Sequence, residues 1–164
     1  MSAQNARTVG PYGMWRLAHD FASTGKLAAD DWSKQPGNEK MAETFGIIVS
    51  LPAWYNTCHG LELALKAFLR ACGVSTADVV GLRHDVLSAL HRAVSLGLPQ
   101  YYDPAPRLTG LVTLINPNYK AKDLEYANVG GLNLYALASL QDELDRLLEA
   151  THDFCRQNTP AATP

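Results

Sequence analysis

One apolar stripe between residues 52 and 73 constrains the fold more than any other feature of this 164-residue chain. Its members recur at intervals of four, three, four, three and four residues: Trp54, Cys58, Leu61, Leu65, Phe68 and Cys72. This is the spacing of one buried face on an α-helix, because a helical turn takes about 3.6 residues. Ser50 and Pro52 suit the start of such a helix, and Gly73 suits its end. The stripe therefore predicts a central helix enclosed by others.

Apolar residues at helical intervals predict further helices along the chain. These lie at about residues 14–33, from Arg83 to Gly97, from Pro106 or Arg107 to a break at residues 116–118, and from Asn133 onwards. On the first of these helices, the residues predicted to face the core are Met14, Leu17, Phe21, Ala28 and Trp32. The segment 39–49 fits either a short helix or an irregular packed segment. The predicted fold is all-α, an up-and-down bundle of four to five helices.

Length and composition indicate one globular domain. The content of hydrophobic residues is 47% and that of charged residues is 18%, which is typical of folded rather than disordered chains. We expect the domain to span residues 13–157. Residues 1–12 carry few apolar anchors and are predicted to form a flexible arm, and residues 158–164 a flexible tail.

The charge and the apolar runs of the chain exclude some classes of protein. A net charge of −2 argues against a protein that binds nucleic acid through a large positive excess, so any such contact would need a local group of cations. No stretch reaches the roughly 18 consecutive apolar residues of a membrane helix, and no signal peptide is evident. Cys58 and Cys72 would lie about 21 Å apart on one helix, too far for a disulfide. These features predict a cytoplasmic protein with free thiols and no membrane contact.

Two neighbouring motifs carry most of the polar chemistry: LELALKAFL at residues 61–69 and RHDVLSAL at residues 83–90. Glu62 and Lys66 lie one helical turn apart, in the order that favours an ion pair. They could form a solvated face with a salt bridge that contributes about 0.3–0.5 kcal/mol. They could instead tie their helix to the turn at His84, or bind a ligand.

These motifs resemble those of the HEPN family, the higher-eukaryote and prokaryote nucleotide-binding domains. Members typically carry a Glu followed at the third position by Leu-Lys-Ala, as at Glu62 and residues 65–67, and then a His-Asp-Leu-like turn, as at residues 84–86. The resemblance covers roughly residues 50–157, with a looser match at the tyrosines of 119–126. It implies a helical bundle that is frequently a homodimer. It also implies a bacterial toxin–antitoxin or phage-defence setting, with an antitoxin or a nucleotidyltransferase as partner.

Active ribonucleases of that family have an arginine, then a polar residue and a few others, then a histidine, with a gap of four to six residues. Arg146 and His152 have such a gap in this chain, but the apolar Leu147 follows the arginine, so the motif is not matched. The resemblance therefore implies a non-catalytic or degenerate module that binds a nucleotide, RNA or a protein partner. Two alternatives stay open. One is a divergent, metal-independent ribonuclease that uses His84 and His91 as acid and base. The other is a purely structural dimerisation module.

The candidate ligand-binding residues lie along one predicted groove: His59, Glu62, Lys66, Arg83, His84 and Asp85. Lys66 and Arg83 are expected to come close, and two cations there would create a local anion site. Lys120 and Lys122, beside Tyr119, fit either a solvated loop or a contact with phosphate. No metal or cofactor is expected, because neither a His-x-x-x-His nor a Cys-x-x-Cys spacing occurs.

Overall fold

A computed structural model of the chain describes residues 9–38, 40, 50–122 and 137–160. Every element of regular secondary structure within these residues is a helix, which confirms the all-α prediction. The helices are α1 (Pro11–Ser33), α2 (Leu51–Ala71), α3 (Thr76–Gly81), α4 (Val86–Ser95), α5 (Arg107–Lys120) and α6 (Leu137–Gln157), with a 3₁₀ turn at Leu98–Gln100. The described part holds six α-helices rather than four to five, because the short segment capped by Ser75 also closes into a helix. The expectations for residues 41–49 and for the start of the last helix at Asn133 lie outside the described residues.

The central position of α2 follows from its sequence. Ser50 caps the helix by accepting a hydrogen bond from the Ala53 amide, and the predicted stripe is buried from Trp54 to Phe68. Helices α1, α4 and α6 all pack against α2. Burial of so many large apolar side chains on one helix supplies the main hydrophobic stabilisation of the fold.

Helix α1 packs on α2 through small residues, and the predicted core face is wrong in part, because Met14 and Ala28 pack against the core but are only partly buried. Its buried positions are Pro11, Ala18, Ala22, Gly25 and Ala29, whereas the predicted core residue Leu17 is 42% exposed. The two backbones approach so closely that a Cβ atom on Gly60 would lie 3.1 Å from the Ala18 carbonyl oxygen. The larger side chains of α1 therefore flank the contact instead of filling it.

The two ends of the domain meet. Helix α1 begins at Pro11, three residues before the predicted start, and the Tyr12 amide donates a hydrogen bond of 2.8 Å to the Thr159 hydroxyl. Thr159 in turn donates to the Cys155 carbonyl at 2.7 Å. Residues 158–160 are thus joined to both α1 and α6. The rest of the predicted arm, residues 1–8, and of the tail, residues 161–164, lie outside the described residues.

Candidate functional site

A buried carboxylate, Glu62, lies at the centre of the polar groups predicted from the sequence. Glu62 is on the middle turns of α2 and is only 3% exposed. Its Oε1 accepts a hydrogen bond from Lys66 Nζ at 2.5 Å, and its Oε2 accepts one from the Tyr119 hydroxyl at 2.6 Å. His84 Nδ1 lies 3.0 Å from Oε2, and His59 Nδ1 lies 3.6 Å from it. Burial alone would raise the pKa of Glu62, but its interactions with His59, Lys66 and Tyr119 lower it to about 2.

Lys66 links α2 to the turn that precedes α4. Its ammonium donates to Glu62 and also, at 2.6 Å, to the backbone carbonyl of Arg83. Arg83 has a φ of 49°, in the left-handed region that side-chain-bearing residues rarely adopt, so this bond holds a strained turn. Lys66 is only 8% exposed, which makes the solvated-face interpretation wrong. Of the interpretations left open by the sequence, the tie between helix and turn is the one that these contacts match.

Tyr119 belongs to this group although the sequence analysis did not place it there. The predicted break at residues 116–118 is wrong, since α5 continues through Pro117 to Lys120. The extra turn brings Tyr119 to 3% exposure, with its hydroxyl 3.0 Å from His59 Nδ1 as well as bonded to Glu62. Burial and the neighbouring Glu62 carboxylate raise the pKa of Tyr119, so it acts as a protonated donor. The sequence did contain a signal for this position. Tyr119 lies four residues after Ile115 and so continues the apolar stripe of α5.

Asp85 joins α4 to the end of α5. It caps α4, since its Oδ1 accepts from the Ser88 amide at 3.0 Å, and its Oδ2 lies 2.5 Å from Lys120 Nζ. Asn116 donates to Asp85 at 3.3 Å and accepts from the Leu87 amide at 3.1 Å. Burial would raise the pKa of Asp85, but the bonds from Lys120 and Ser88 lower it to about 2. The backbone amides of Leu87 and Ser88, at the start of α4, therefore already donate hydrogen bonds to side chains of the protein.

A pocket of about 400 Å³ opens beside these groups, at the turn between α3 and α4. Its walls are formed by Gly81, Leu82, Arg83, His84, Asp85, Ser88, Lys120 and Lys122. Among these described side chains three are cationic and one is a carboxylate, which sums to +2 with the histidine counted as neutral, whereas the whole chain carries −2. The sequence could not show this concentration of charge, because Arg83 and the two lysines are far apart along the chain.

The predicted site residues divide between the wall of this pocket and the interior behind it. Arg83, His84 and Asp85 form the wall, and Glu62, Lys66 and His59 lie behind it. The expected approach of Lys66 to Arg83 occurs, but at the backbone carbonyl of Arg83. The Arg83 guanidinium forms neither a hydrogen bond nor an ion pair with any residue that the structure describes. It is therefore available to a ligand.

The histidines of the site have different surroundings. His84 is partly exposed, and its Nδ1 is bound to Glu62, which leaves the other ring nitrogen available in the pocket. His59 stacks on Tyr55 with ring centroids 5.8 Å apart and meets the edge of Phe21 at 4.4 Å. His91 is exposed on α4 and does not line the pocket. The structure thus does not bring together the two histidines of the predicted acid–base pair.

Three further properties of the described residues bear on what the chain can do. No group of three or more histidine, cysteine, aspartate or glutamate side chains within them is arranged to hold a metal ion. Cys58, Cys72 and Cys155 are free, and burial raises the pKa of the Cys58 thiol to about 12. None of the described helices combines the length and the apolar character needed to cross a membrane.

Comparison of the chain with protein-family models, with curated proteins and with solved structures gives no match.

Proposed function

We propose that this chain is a non-catalytic, HEPN-like module that binds the phosphate groups of a nucleotide or of RNA in the pocket at the turn between α3 and α4. The observation that carries the proposal is the meeting of Arg83, Lys120 and Lys122 in one pocket of a chain whose overall charge is negative. Local positive potential of this kind attracts phosphate even when the whole protein repels it.

Arg83 is the principal phosphate ligand in this proposal. A guanidinium presents a rigid fork of donors that matches two phosphate oxygens, and that of Arg83 has no partner among the described residues. Lys120 is exposed and shares its ammonium with Asp85, so it can turn part of its donors towards a second phosphate oxygen. Ser88 adds a hydroxyl donor on the same wall.

The interior groups give the pocket its shape before a ligand arrives. Lys66 fixes the backbone of Arg83, and Glu62 fixes the ring of His84. A wall that is already ordered loses little conformational entropy when it binds, which raises affinity.

A ribonuclease is the second candidate, and the contact between Glu62 and His84 favours it. A buried carboxylate that holds one nitrogen of an imidazole orients the other nitrogen for proton transfer. The exposed position of His91 leaves that histidine without its predicted partner, and for this reason we rank binding ahead of cleavage. Purified protein without metal is expected to leave RNA intact. Specific cleavage that His84→Ala abolishes would reverse this ranking.

A thermal-shift panel at low salt tests the binding proposal. Nucleotides, single-stranded RNA and inorganic phosphate should raise the melting temperature of the wild type, by an amount that shrinks as salt is added. Arg83→Gln should lose most of this shift. Arg16→Gln, which removes an exposed arginine of α1, is the matched control and should keep it. If no probe shifts the wild type, phosphate binding is contradicted and the dimerisation module becomes the leading interpretation.

A further inference from the structure

A second pocket, of about 440 Å³, lies where α1 packs against α6. Its walls are formed by Trp15 and His19 of α1 and by Asp145, Leu148, Glu149 and His152 of α6. It shares no residue with the pocket at the turn between α3 and α4. Its side chains come from one stripe on each helix, because their spacings of three, four and seven residues repeat the helical turn.

The aromatic side chains of this pocket are held in place by their neighbours. Trp15 Nε1 donates to the Leu148 carbonyl at 3.0 Å. Tyr12 and His19 stack on the indole with ring centroids 5.7 Å and 5.6 Å away. His152 meets the indole edge-on at 4.7 Å. The ring cluster is therefore ordered without a ligand, unlike a lone exposed tryptophan.

Carboxylates line the same pocket. Asp145 is paired with Lys26 across the two helices. Glu149 is exposed and forms no hydrogen bond or ion pair with any residue that the structure describes. The pocket thus combines ring surfaces with one uncompensated negative charge, a pattern that suits a ligand that is both apolar and cationic.

We propose that this pocket binds a methylated ammonium group. Such a cation is attracted by the negative faces of aromatic rings and by Glu149, and it has few or no N–H groups that would need acceptors. A plain ammonium or guanidinium ion would lose water-mediated hydrogen bonds that the rings of Trp15 and His152 do not replace. The group could belong to a free molecule of the choline type or to a methylated lysine of another protein.

Titration with choline, followed through the indole N–H signals in the NMR spectrum, tests this proposal. The chain has three tryptophans, and Trp54, at 2% exposure, serves as a buried internal control. We expect a saturable shift of the Trp15 signal, which Trp15→Phe identifies by its loss. The neutral isostere 3,3-dimethylbutan-1-ol should bind at least about fivefold more weakly, because it lacks the charge.

The variant Glu149→Gln should weaken choline binding about two- to fivefold, the effect of one exposed charge pair. Asp142→Asn, on the same helix but facing Arg107, is the matched control and should bind as the wild type does. If a trimethyllysine peptide binds more tightly than choline, the methylated ammonium group belongs to a protein partner. If the peptide binds more weakly than choline, the group belongs to a small molecule. Equal binding of the neutral isostere, of guanidinium or of an unmodified lysine peptide would overturn the proposal, as would a Trp15 signal that does not saturate.

Discussion

At the scale of single residues, the energetics of the site depend on one buried charge. Glu62 loses nearly all contact with water on folding, and only bonds from several partners offset that loss. Lys66 is the partner that neutralises it. The sequence order of Glu62 and Lys66 predicted their ion pair, but not its burial. Burial depends on α5 and on the turn at Arg83, which come from distant parts of the chain.

Lys66→Met should strongly destabilise the protein, because it leaves Glu62 buried without its cation. The expected loss in the free energy of unfolding is about 3–5 kcal/mol. Lys120→Met removes a lysine from the ion pair with Asp85, in which the lysine is 58% exposed, and should cost about 0–1 kcal/mol. Urea denaturation of both variants measures the difference. Equal losses would show that the burial of Lys66 has no energetic consequence.

Glu62 should also make the stability depend on pH. Its pKa falls from an ordinary value of 4.5 to about 2 on folding, so the folded state favours the ionised form. This contribution is complete above pH 4.5 and is lost as the pH falls towards 2, and it amounts to roughly 3 kcal/mol. The free energy of unfolding of the wild type should therefore fall more steeply across this window than that of Glu62→Gln. Parallel profiles would contradict the assignment of the low pKa to Glu62.

At the scale of helices, the large apolar side chains were a good guide and the small ones were not. The stripe from Trp54 to Phe68 identified the buried face of α2, because large residues fill the core there. On α1 the close contact is formed by alanine and glycine, so a face chosen mainly from large apolar residues lies beside the true contact and not on it. Pro117 misled the prediction in another way. A proline inside a helix removes one backbone hydrogen bond and its ring clashes with the preceding turn, which together cost about 3 kcal/mol or more, yet the bonds of Tyr119 and Asn116 keep α5 helical past it.

Tyr119→Phe tests whether this last turn of α5 supports the site. The variant keeps the ring but removes the donor to Glu62, and a hydrogen bond to a charged group contributes about 1.5–3 kcal/mol. We expect a loss of that size in chemical denaturation, with the helical circular-dichroism signal unchanged. Tyr101→Phe, at a tyrosine that is 44% exposed, should change the stability little. A similar effect of the two changes would mean that the hydroxyl of Tyr119 contributes nothing.

At the scale of the whole molecule, charge is distributed unevenly over the bundle. Cations collect in the pocket at the turn between α3 and α4, and carboxylates collect along α6 at Asp142, Asp145, Glu149 and Asp153. The net charge of −2 hides this division. The cationic pocket forms only when the fold brings the end of α5 beside Arg83. An anionic ligand would be drawn to this pocket and repelled by the face of α6.

The salt dependence of RNA binding tests the phosphate pocket most directly. The wild type, Arg83→Gln and Arg16→Gln are each titrated with single-stranded RNA at several salt concentrations. The logarithm of the affinity is then plotted against the logarithm of the salt concentration, and the slope is compared between the three proteins. The pocket predicts that wild-type affinity falls as salt rises, that Arg83→Gln reduces the slope by about one phosphate contact, and that Arg16→Gln leaves it unchanged. A wild-type affinity that does not respond to salt, or the same slope in Arg83→Gln as in the wild type, would contradict it.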